Sequence, residues 1–357
     1  MSLRFSKALP IYLLLITLAP LGACDRIESA AFDRAAQQQA AGDRTDWLDD
    51  GGLHLILCGT GTPLPDPDRA GPCTAVIAGG KFFLVDTGPG SWENVQLWRL
   101  PRARLSGVLL THFHSDHIGE LGEVITQSWI GGRTQPLKIY GPPGIENVVG
   151  GFQQAYARDG DYRVAHHGEA AMPRAGSQAI AQTIPVPADG SNVVVFDQDG
   201  VRITAFAVDH RPVVPAFGYR VDYNGRSVVI SGDTAKSANL AIHAKNADII
   251  VHEALAAHLI AQVVPRLKEL GQDRLAKLAG DVIDYHATPV QAAETAKEAG
   301  ARMLVLTHLV PSPANAIVRR QFMAGVSDAW DGEVILGEDG MHFTLPKESS
   351  EISREDL

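Results

Sequence analysis

Residues 112–117 of this chain, His-Phe-His-Ser-Asp-His, combine imidazole and carboxylate side chains within one short segment. The segment follows the apolar run 108–110, which is typical of a buried strand. Alternate residues of an extended backbone point the same way, so the first two histidines face one point. A following turn brings the aspartate and the last histidine to a second point. A polar surface loop is the alternative, but it does not explain this spacing. The segment therefore predicts a metal site that suits two ions.

Three further candidate ligands follow apolar runs elsewhere in the chain: His210, Asp233 and His308. Rigid strands can aim such residues at a common point, because the loops at one end of a sheet lie together. A single histidine after a strand usually has a structural role. Three such residues in addition to the segment 112–117 favour a shared metal site instead.

His286 lies just before a predicted helix start. Thr288, Pro289 and Gln291 fit an N-cap, a proline at the first helical position and a capping-box glutamine. The N-terminus of a helix is the positive end of its dipole, where an anionic phosphoryl or sulfuryl oxygen is favoured. His286 is therefore a candidate for contact with an anionic substrate. The alternative is a surface histidine that merely precedes a helix.

Strand-like runs alternate with helical patterns, which predicts an α/β fold. Apolar β-type runs lie at 53–57, 74–77, 82–85, 108–110, 137–140, 193–196, 203–208, 217–221, 227–230, 248–251, 303–306, 334–336 and 341–345. Helical patterns fit 91–98, 118–128, 255–278 and 290–298. The dipeptides Asn224-Gly225 and Asp339-Gly340 predict tight hairpin turns, because both tolerate positive φ.

The composition is that of a globular protein with an acidic balance. The chain has 357 residues, 45% of them hydrophobic and 20% charged, and a formal net charge of -10. This length supports one large core. The negative charge opposes long polyanions such as tRNA or DNA, and no run rich in Lys and Arg compensates for it. We therefore expect a small anionic ester as the substrate, with nucleic acid disfavoured as a partner.

The first residues resemble an export signal. Arg4 and Lys7 precede the apolar stretch 8–18, which is short for a membrane span but suits a signal sequence. Residues 21–24, Leu-Gly-Ala-Cys, resemble the lipobox of bacterial lipoproteins, which implies cleavage before Cys24 and lipidation of that cysteine. Ordinary secretory cleavage and an uncleaved anchor are the alternatives. We expect a periplasmic protein that is anchored to the bacterial inner membrane.

These features divide the chain into a signal peptide (1–23), a tether (24–50), a main domain (51–346) and a polar C-terminal tail (347–357). The tether is rich in Ala, Gln and Asp, which do not form a core. Cys58 and Cys73 lack the C-x-x-C spacing of a cysteine metal site. Both lie at the edges of predicted neighbouring strands and can pair in an oxidising compartment, but the sequence does not decide whether they form a disulfide.

With these motifs in this order, residues 53–345 resemble the metallo-β-lactamase superfamily. The resemblance implies an αββα sandwich, in which helices flank two mixed β-sheets. The implied ligands of one metal ion are His112, His114 and His210. Those of the second ion are Asp116, His117 and His308, and the resemblance implies that Asp233 bridges both ions. Asp86, in the sequence Leu-Val-Asp-Thr-Gly at 84–88, corresponds to an acidic residue that supports the ligand loop from behind. A turn-capping role is its alternative.

Several short motifs resemble the ribonuclease Z and arylsulfatase-like branch of that superfamily. They are Gly-Thr-Gly-Thr-Pro at 59–63, Tyr-Gly-Pro-Pro-Gly at 140–144, Ser-Gly-Asp-Thr at 231–234, His-Glu-Ala at 252–254 and His-Ala-Thr at 286–288. The resemblance implies that His286, with Glu253 as its partner, stabilises the transition state and the leaving group. It also implies two zinc ions that share a hydroxide oriented by Asp116, with iron or manganese as alternatives.

The expected activity is that of a dinuclear zinc hydrolase of small phosphodiesters or aryl sulfate esters. Processing of tRNA is disfavoured, because the export signal and the lack of a basic, Gly/Pro-rich arm depart from tRNA-processing members. Ala287 also replaces the serine of their His-Ser-Thr motif. A lactonase or β-lactam hydrolase is the first alternative, and a non-catalytic metal-binding lipoprotein is the second. The natural substrate and the oligomeric state, with a homodimer among the options, do not follow from the sequence.

Overall fold

The computed structural model describes residues 42–357 and, before them, helical residues at 29, 30, 32–34 and 36. The chain divides into two units, Met1–Gly42 and Asp43–Leu357. The predicted signal peptide and its Cys24 lie outside the described residues. Among the described residues, no helix combines the length and the apolar character that crossing a membrane requires. The second unit contains both β-sheets and the candidate site.

Strands and helices alternate through the second unit. The strands are β1 (Leu53–Gly59), β2 (Cys73–Ala78), β3 (Lys81–Val85), β4 (Leu105–Leu109), β5 (Leu137–Gly141), β6 (Ala179–Thr183), β7 (Val193–Gln198), β8 (Val201–Val208), β9 (Ala216–Tyr223), β10 (Arg226–Ile230), β11 (Ile249–Leu255), β12 (Met303–Val310), β13 (Glu333–Leu336), β14 (Met341–Leu345) and β15 (Ser353–Asp356). The helices are α1 (Ser91–Leu97), α2 (Ser115–Ile118), α3 (Leu121–Ile130), α4 (Ile145–His167), α5 (Ala238–His243), α6 (Ala257–Glu269), α7 (Asp273–Asp281), α8 (Pro289–Ala299), α9 (Ala316–Phe322) and α10 (Val326–Ala329).

The strands form two mixed sheets. The first sheet has the order β15-β14-β1-β2-β3-β4-β5-β6, and the second has the order β13-β12-β11-β10-β9-β8-β7. In the first sheet, β3 to β6 pair in parallel, so the ends of β3 and β4 lie at one edge. In the second, β10 to β13 pair in parallel, so the ends of β10, β11 and β12 share an edge as well. These shared edges bring distant segments of the chain together.

Three apolar layers confirm the predicted αββα sandwich. One layer lies between the two sheets and includes Leu55, Phe83, Tyr219, Val251 and Val305. A second joins the outer face of the first sheet to α1, α3 and the start of α4. The third joins the outer face of the second sheet to α5, α8 and α9. Each sheet is therefore buried on both faces, which explains why its central strands are almost continuously apolar.

The strand β1 shows how this burial arises from the sequence. Leu53, Leu55 and Leu57 alternate along it and face the layer between the sheets. Ile56 and Cys58 point to the opposite face and pack in the outer layer. Side chains of a strand alternate between its faces, so both sets must be apolar when both faces are covered.

Cys58 and Cys73 form a disulfide, with their Cα atoms 5.0 Å apart. They come together because β1 and β2 pair antiparallel with Gly59 opposite Cys73. The disulfide joins the last residues of β1 to the first residue of β2 and closes the loop 59–72.

The helical predictions differ from the structure in several places, because the short helices α5, α9 and α10 were not predicted and two longer stretches differ as well. The stretch predicted as one helix at 255–278 is two helices, α6 and α7, because Gly271 adopts φ of 70° between them. The 23-residue helix α4 lacks a predictive apolar stripe, since Ile145, Val149 and Gly160 are its buried residues. It packs against α3 and β6, and these tertiary contacts stabilise it in place of its own periodicity.

The structure also places the edges of the folded unit differently from the expected boundaries at 51 and 346. Trp47 and Leu48, within the expected tether, are buried in the outer apolar layer. Within the expected polar tail, Ser353–Asp356 forms β15 and pairs antiparallel with β14. Neither segment has an apolar period of its own, and each contacts elements that are distant in sequence.

One of the two predicted hairpin turns is correct. Asn224 and Gly225 have φ of 48° and 75° and join the antiparallel strands β9 and β10. Asp339-Gly340 does not close a hairpin, because β13 and β14 lie in different sheets. Gly340 does adopt a positive φ, of 90°. Local turn chemistry thus identifies the turn, but it does not reveal the partner of the next strand.

Candidate metal centre

Asp86 fixes the loop that carries the histidine cluster. It directly follows β3 with φ of 62°, a left-handed conformation that is uncommon for residues other than glycine. Its carboxylate accepts hydrogen bonds from the backbone N–H and the hydroxyl of Thr111, each at 2.8 Å. It also contacts Nδ1 of His117 at 2.8 Å. Asp86 therefore connects the end of β3 to both ends of the cluster segment.

Side chains with metal-binding atoms form neighbouring groups in the described part of the chain. Within each group, the ligand-type atoms all lie within 4.8 Å of one another. The groups are His112, His114, His210 and Asp233; Asp116, His117 and His308; and Asp233, His286 and His308. The first two coincide with the sets that the sequence resemblance implies. They separate because the cluster segment changes from extended backbone to the helix α2 at Ser115.

Asp233 lies between the first two groups. Its Oδ2 is 3.4 Å from Nε2 of His117 and 3.5 Å from Nε2 of His308. The same oxygen is 3.9 Å from Nε2 of His112 and 3.8 Å from Nε2 of His210. One carboxylate oxygen thus reaches both groups, as a bridging ligand must.

His308 reaches the site through an irregularity in β12. The pairing of β11 with β12 shifts where Glu253 and Ala254 lie opposite Thr307 and Leu309, which leaves His308 as an extra residue. Its φ is 46°, again in the left-handed region. Such a bulge redirects a side chain, so His308 lies inside a strand and still faces the candidate centre.

The electrostatics of the first ligand group favour a cation. Burial lowers the pKa of His112 well below its ordinary value and also lowers the pKa of His114 and His210. Burial alone would raise the pKa of Asp233, but the imidazoles of His308 and His117 outweigh it and hold that pKa well below its usual range. Neutral imidazoles and an ionised carboxylate are the forms that bind metal ions.

His210 provides a direct test of whether the residues fit a metal. Its Nδ1 donates a hydrogen bond to the backbone carbonyl of Tyr285 at 3.0 Å. Its Nε2 is buried and has no hydrogen-bond partner. With the proton on Nδ1, the lone pair of Nε2 faces the first group of ligands. The His/Asp cluster therefore fits a divalent metal such as zinc.

Glu253 holds His286 beside this cluster. Its side chain is 1% exposed, and its Oε1 is 3.0 Å from Nδ1 of His286. The same oxygen accepts hydrogen bonds from the backbone N–H of Thr234 and of Ala287, each at 3.1 Å. Burial alone would lower the pKa of His286, but the charge of Glu253 outweighs it and raises that pKa to about 9. Glu253 therefore favours the protonated form of His286 next to the ligand groups, and the predicted capping box of α8 follows this histidine.

Sequence reasoning missed several residues that build the site. Thr111 fixes the cluster loop, and Tyr285 supplies the acceptor for His210. Asp339 accepts hydrogen bonds from the backbone N–H of Thr60 and of Ala70, at 2.9 and 2.7 Å, and so holds the loop 59–72. Thr111 and Tyr285 each adjoin a predicted site histidine, which is the signal that could have revealed them.

A family model described as "Beta-lactamase superfamily domain" matches residues 81–309. The chain belongs to the metallo-β-lactamase superfamily. It is a hydrolase of that superfamily, as the sequence resemblance implied.

Curated relatives place the chain near one branch. Ribonuclease Z of Mycobacterium avium is 41% identical over 290 residues, covering 80% of this chain and 96% of the relative. Ribonuclease Z of Mycobacterium marinum is 38% identical over 299 residues, with the same coverage of 80% and 96%. The resemblance to the ribonuclease Z branch is therefore confirmed.

Solved structures share the fold. The metallo-β-lactamase fold protein YhfI from Bacillus subtilis has a TM-score of 0.58 at 20% identity, covering 82% of this chain and 99% of its own. The short form of human tRNase Z also has a TM-score of 0.58, at 24% identity, with coverage of 82% and 99%.

These relatives correct one expectation. The acidic composition disfavoured nucleic acid as a partner, but the relatives carry the name ribonuclease Z. Net charge is a property of the whole chain, whereas a substrate is bound by a local surface, so an acidic total does not exclude RNA.

Proposed function

We propose that this protein is a metal-dependent phosphodiesterase that cleaves RNA. The observation that carries the proposal is the alignment with ribonuclease Z of Mycobacterium avium along 96% of that protein's length. The geometry agrees with it, because a cluster of His and Asp side chains lies beside the buried His286, whose pKa Glu253 raises to about 9. A phosphodiester is anionic, and its cleavage develops further negative charge that cations stabilise.

The proposed cofactor is a pair of zinc ions. His112, His114 and His210 would hold one ion, Asp116, His117 and His308 the other, and Asp233 would lie between them. When bound, such ions polarise the phosphoryl group and lower the pKa of a bound water towards neutrality. The imidazoles of the first set are held neutral by burial, so they offer lone pairs without first releasing protons.

His286 would act on the leaving group. Its Nδ1 is engaged by Glu253, so Nε2 is the nitrogen left to face a substrate. With a pKa of about 9, the imidazole is protonated at neutral pH. A protonated Nε2 can donate a hydrogen bond, and then the proton, to the leaving oxygen of the ester. Asp116, which is buried in the second group, would orient the attacking water.

The proposal is tested on the purified mature chain with a single-stranded oligoribonucleotide carrying a fluorophore. Bis(p-nitrophenyl) phosphate, p-nitrophenyl sulfate, a lactone and nitrocefin serve as comparison substrates. We expect RNA cleavage that a chelator abolishes and zinc restores. Asp233→Ala should abolish it as well, whereas His258→Ala, which replaces an exposed histidine of α6, should not. Turnover of the sulfate, lactone or lactam without RNA cleavage would contradict the proposal.

We also propose that the chain is exported and lipidated at Cys24. The support is the signal-like sequence before that cysteine, together with a disulfide between Cys58 and Cys73, since disulfides persist in oxidising compartments. Labelling cells with radioactive palmitate should mark the wild-type chain and not Cys24→Ser. Labelling of both or of neither would contradict this assignment.

A further inference from the structure

Tyr285 occupies a fixed position beside the candidate centre. It directly precedes His286 and follows the short 3-10 turn Val282–Asp284. Its backbone carbonyl accepts the hydrogen bond from Nδ1 of His210 at 3.0 Å. The backbone of Tyr285 is therefore fixed by a candidate metal ligand, independently of what its side chain does.

The phenol ring of Tyr285 borders the site. Its centroid lies 5.1 Å from the ring of His210, with the two planes nearly perpendicular, and 4.7 Å from the ring of His286. Both histidines are buried, whereas Tyr285 is only partly buried. Burial raises the pKa of the phenol, and the carboxylates of Asp233, Asp281 and Asp116 raise it further, which agrees with a ring close to the site. Tyr285 is thus a partly exposed aromatic residue next to the candidate centre.

Cations in the surrounding loops are already paired. Arg211, which follows His210, forms an ion pair with Asp209. Lys236, which follows Asp233 in the same loop, pairs with Glu294 and Glu298 of α8 at 2.9 Å each. Such cations contribute less to phosphate binding than free ones, because a carboxylate already balances their charge.

We infer that Tyr285 is a substrate-binding residue that stacks on the base of a nucleotide flanking the scissile phosphate. This inference rests on the proposed function. Bases of single-stranded RNA stack on exposed aromatic side chains, and such a contact contributes to binding whatever the base identity. The ring of Tyr285 is adjacent to the proposed leaving-group residue, so the base that it contacts belongs to a nucleotide next to the cleaved bond.

The test compares four reactions. Wild type and Tyr285→Ala are each given a short oligoribonucleotide and the same molecule with an abasic residue at one flanking position, and each position is examined in turn. For wild type, removal of the contacted base should lower kcat/KM about 5- to 150-fold. For Tyr285→Ala, kcat/KM on the intact substrate should fall by a similar factor, and removal of the base should then cost nothing more.

Two controls separate stacking from a structural role. Tyr285→Phe keeps the ring and should retain near wild-type kcat/KM, whereas Tyr285→Leu keeps bulk without aromaticity and should resemble Tyr285→Ala. The zinc content of all variants should match that of wild type, because His210 bonds to the backbone of residue 285.

Three results would overturn the inference. In the first, Tyr285→Ala and base removal each lower kcat/KM independently, so that their factors multiply at both flanking positions. In the second, kcat/KM is unchanged in Tyr285→Ala. In the third, Tyr285→Ala and Tyr285→Leu lose zinc. If wild type cleaves no RNA at all, the proposed function fails and the inference fails with it. The first three results leave the proposed function intact.

Discussion

The charge of Glu253 can be removed with little change of shape by the substitution Glu253→Gln. The amide oxygen of glutamine can still accept hydrogen bonds from His286 and from the backbone at 234 and 287, as the carboxylate oxygen does. The negative charge that holds the proton on His286 is then absent. The substitution therefore tests whether the cationic form of His286 matters for turnover.

The magnitude follows from the pKa of His286. Glu253 and its surroundings raise that pKa from 6.5 to about 9, and each pH unit corresponds to about 1.4 kcal/mol, so the cation is stabilised by about 3 kcal/mol. At pH 7 about 99% of His286 is then protonated. Without the carboxylate, burial holds the pKa at or below its ordinary value of about 6.5, so at most about a quarter remains protonated at pH 7.

The assay is kcat for RNA cleavage from pH 5.5 to pH 10 under substrate saturation. For wild type we expect a loss of activity as pH rises through about 9, because the proton donor is lost there. For Glu253→Gln this alkaline limb should move to pH 6.5 or below. Glu269→Gln, at an exposed position at the end of α6, is the matched control and should keep the wild-type profile.

An alkaline limb that does not move in Glu253→Gln, at wild-type zinc content, would refute this reasoning. The same pKa affects stability in the same direction. A histidine whose pKa is raised on folding stabilises the native state fully below about pH 6.5, and this contribution is lost as pH rises through about 9.

Three further outcomes are expected. His286→Ala should lower kcat by about 100-fold or more, as expected for the loss of a hydrogen-bond donor to the transition state. Its zinc content should match that of wild type. Loss of zinc would instead identify His286 as a ligand. Asp248→Ala should lower the free energy of unfolding by about 3–5 kcal/mol, because it leaves the guanidinium of Arg226, whose side chain is 4% exposed, without its carboxylate partner. Urea titration measures this loss. Burial alone would raise the pKa of Asp248, but hydrogen bonds from Arg226 and its neighbours lower it, so in wild type this contribution is complete above about pH 4 and is lost as pH falls through the depressed value. Reduction of the disulfide, whose cysteines are 15 residues apart, should lower the free energy of unfolding by about 3 kcal/mol. In the control variant Cys58→Ser, which lacks the disulfide, reduction should not change the free energy of unfolding.

Much of the fold was accessible from the sequence because its central strands are buried on both faces. Such strands are short, nearly continuous apolar runs, and β1, β10 and β14 coincide closely with the predicted runs. Elements without that burial were missed. The helix α4 has few buried residues, and the edge strand β15 is polar, so neither has a periodic apolar pattern.

The sequence by itself determined the chemistry of the candidate centre. Imidazoles and carboxylates at close spacing bind cations, and the segment 112–117 places three histidines and one aspartate within six consecutive residues. The capping box of α8 is equally local, because its two hydrogen bonds join residues three apart, Thr288 and Gln291.

Tertiary structure alone decided how the distant side chains meet. His308 faces the cluster because a bulge gives it a left-handed backbone, and Asp233 lies between the ligand groups because β10 and β11 end at one edge of their sheet. The cation at His286 likewise depends on Glu253, which lies 33 residues away in the chain. The motifs name these residues, but the distances between them arise from strand pairing and burial, which depend on contacts between distant segments.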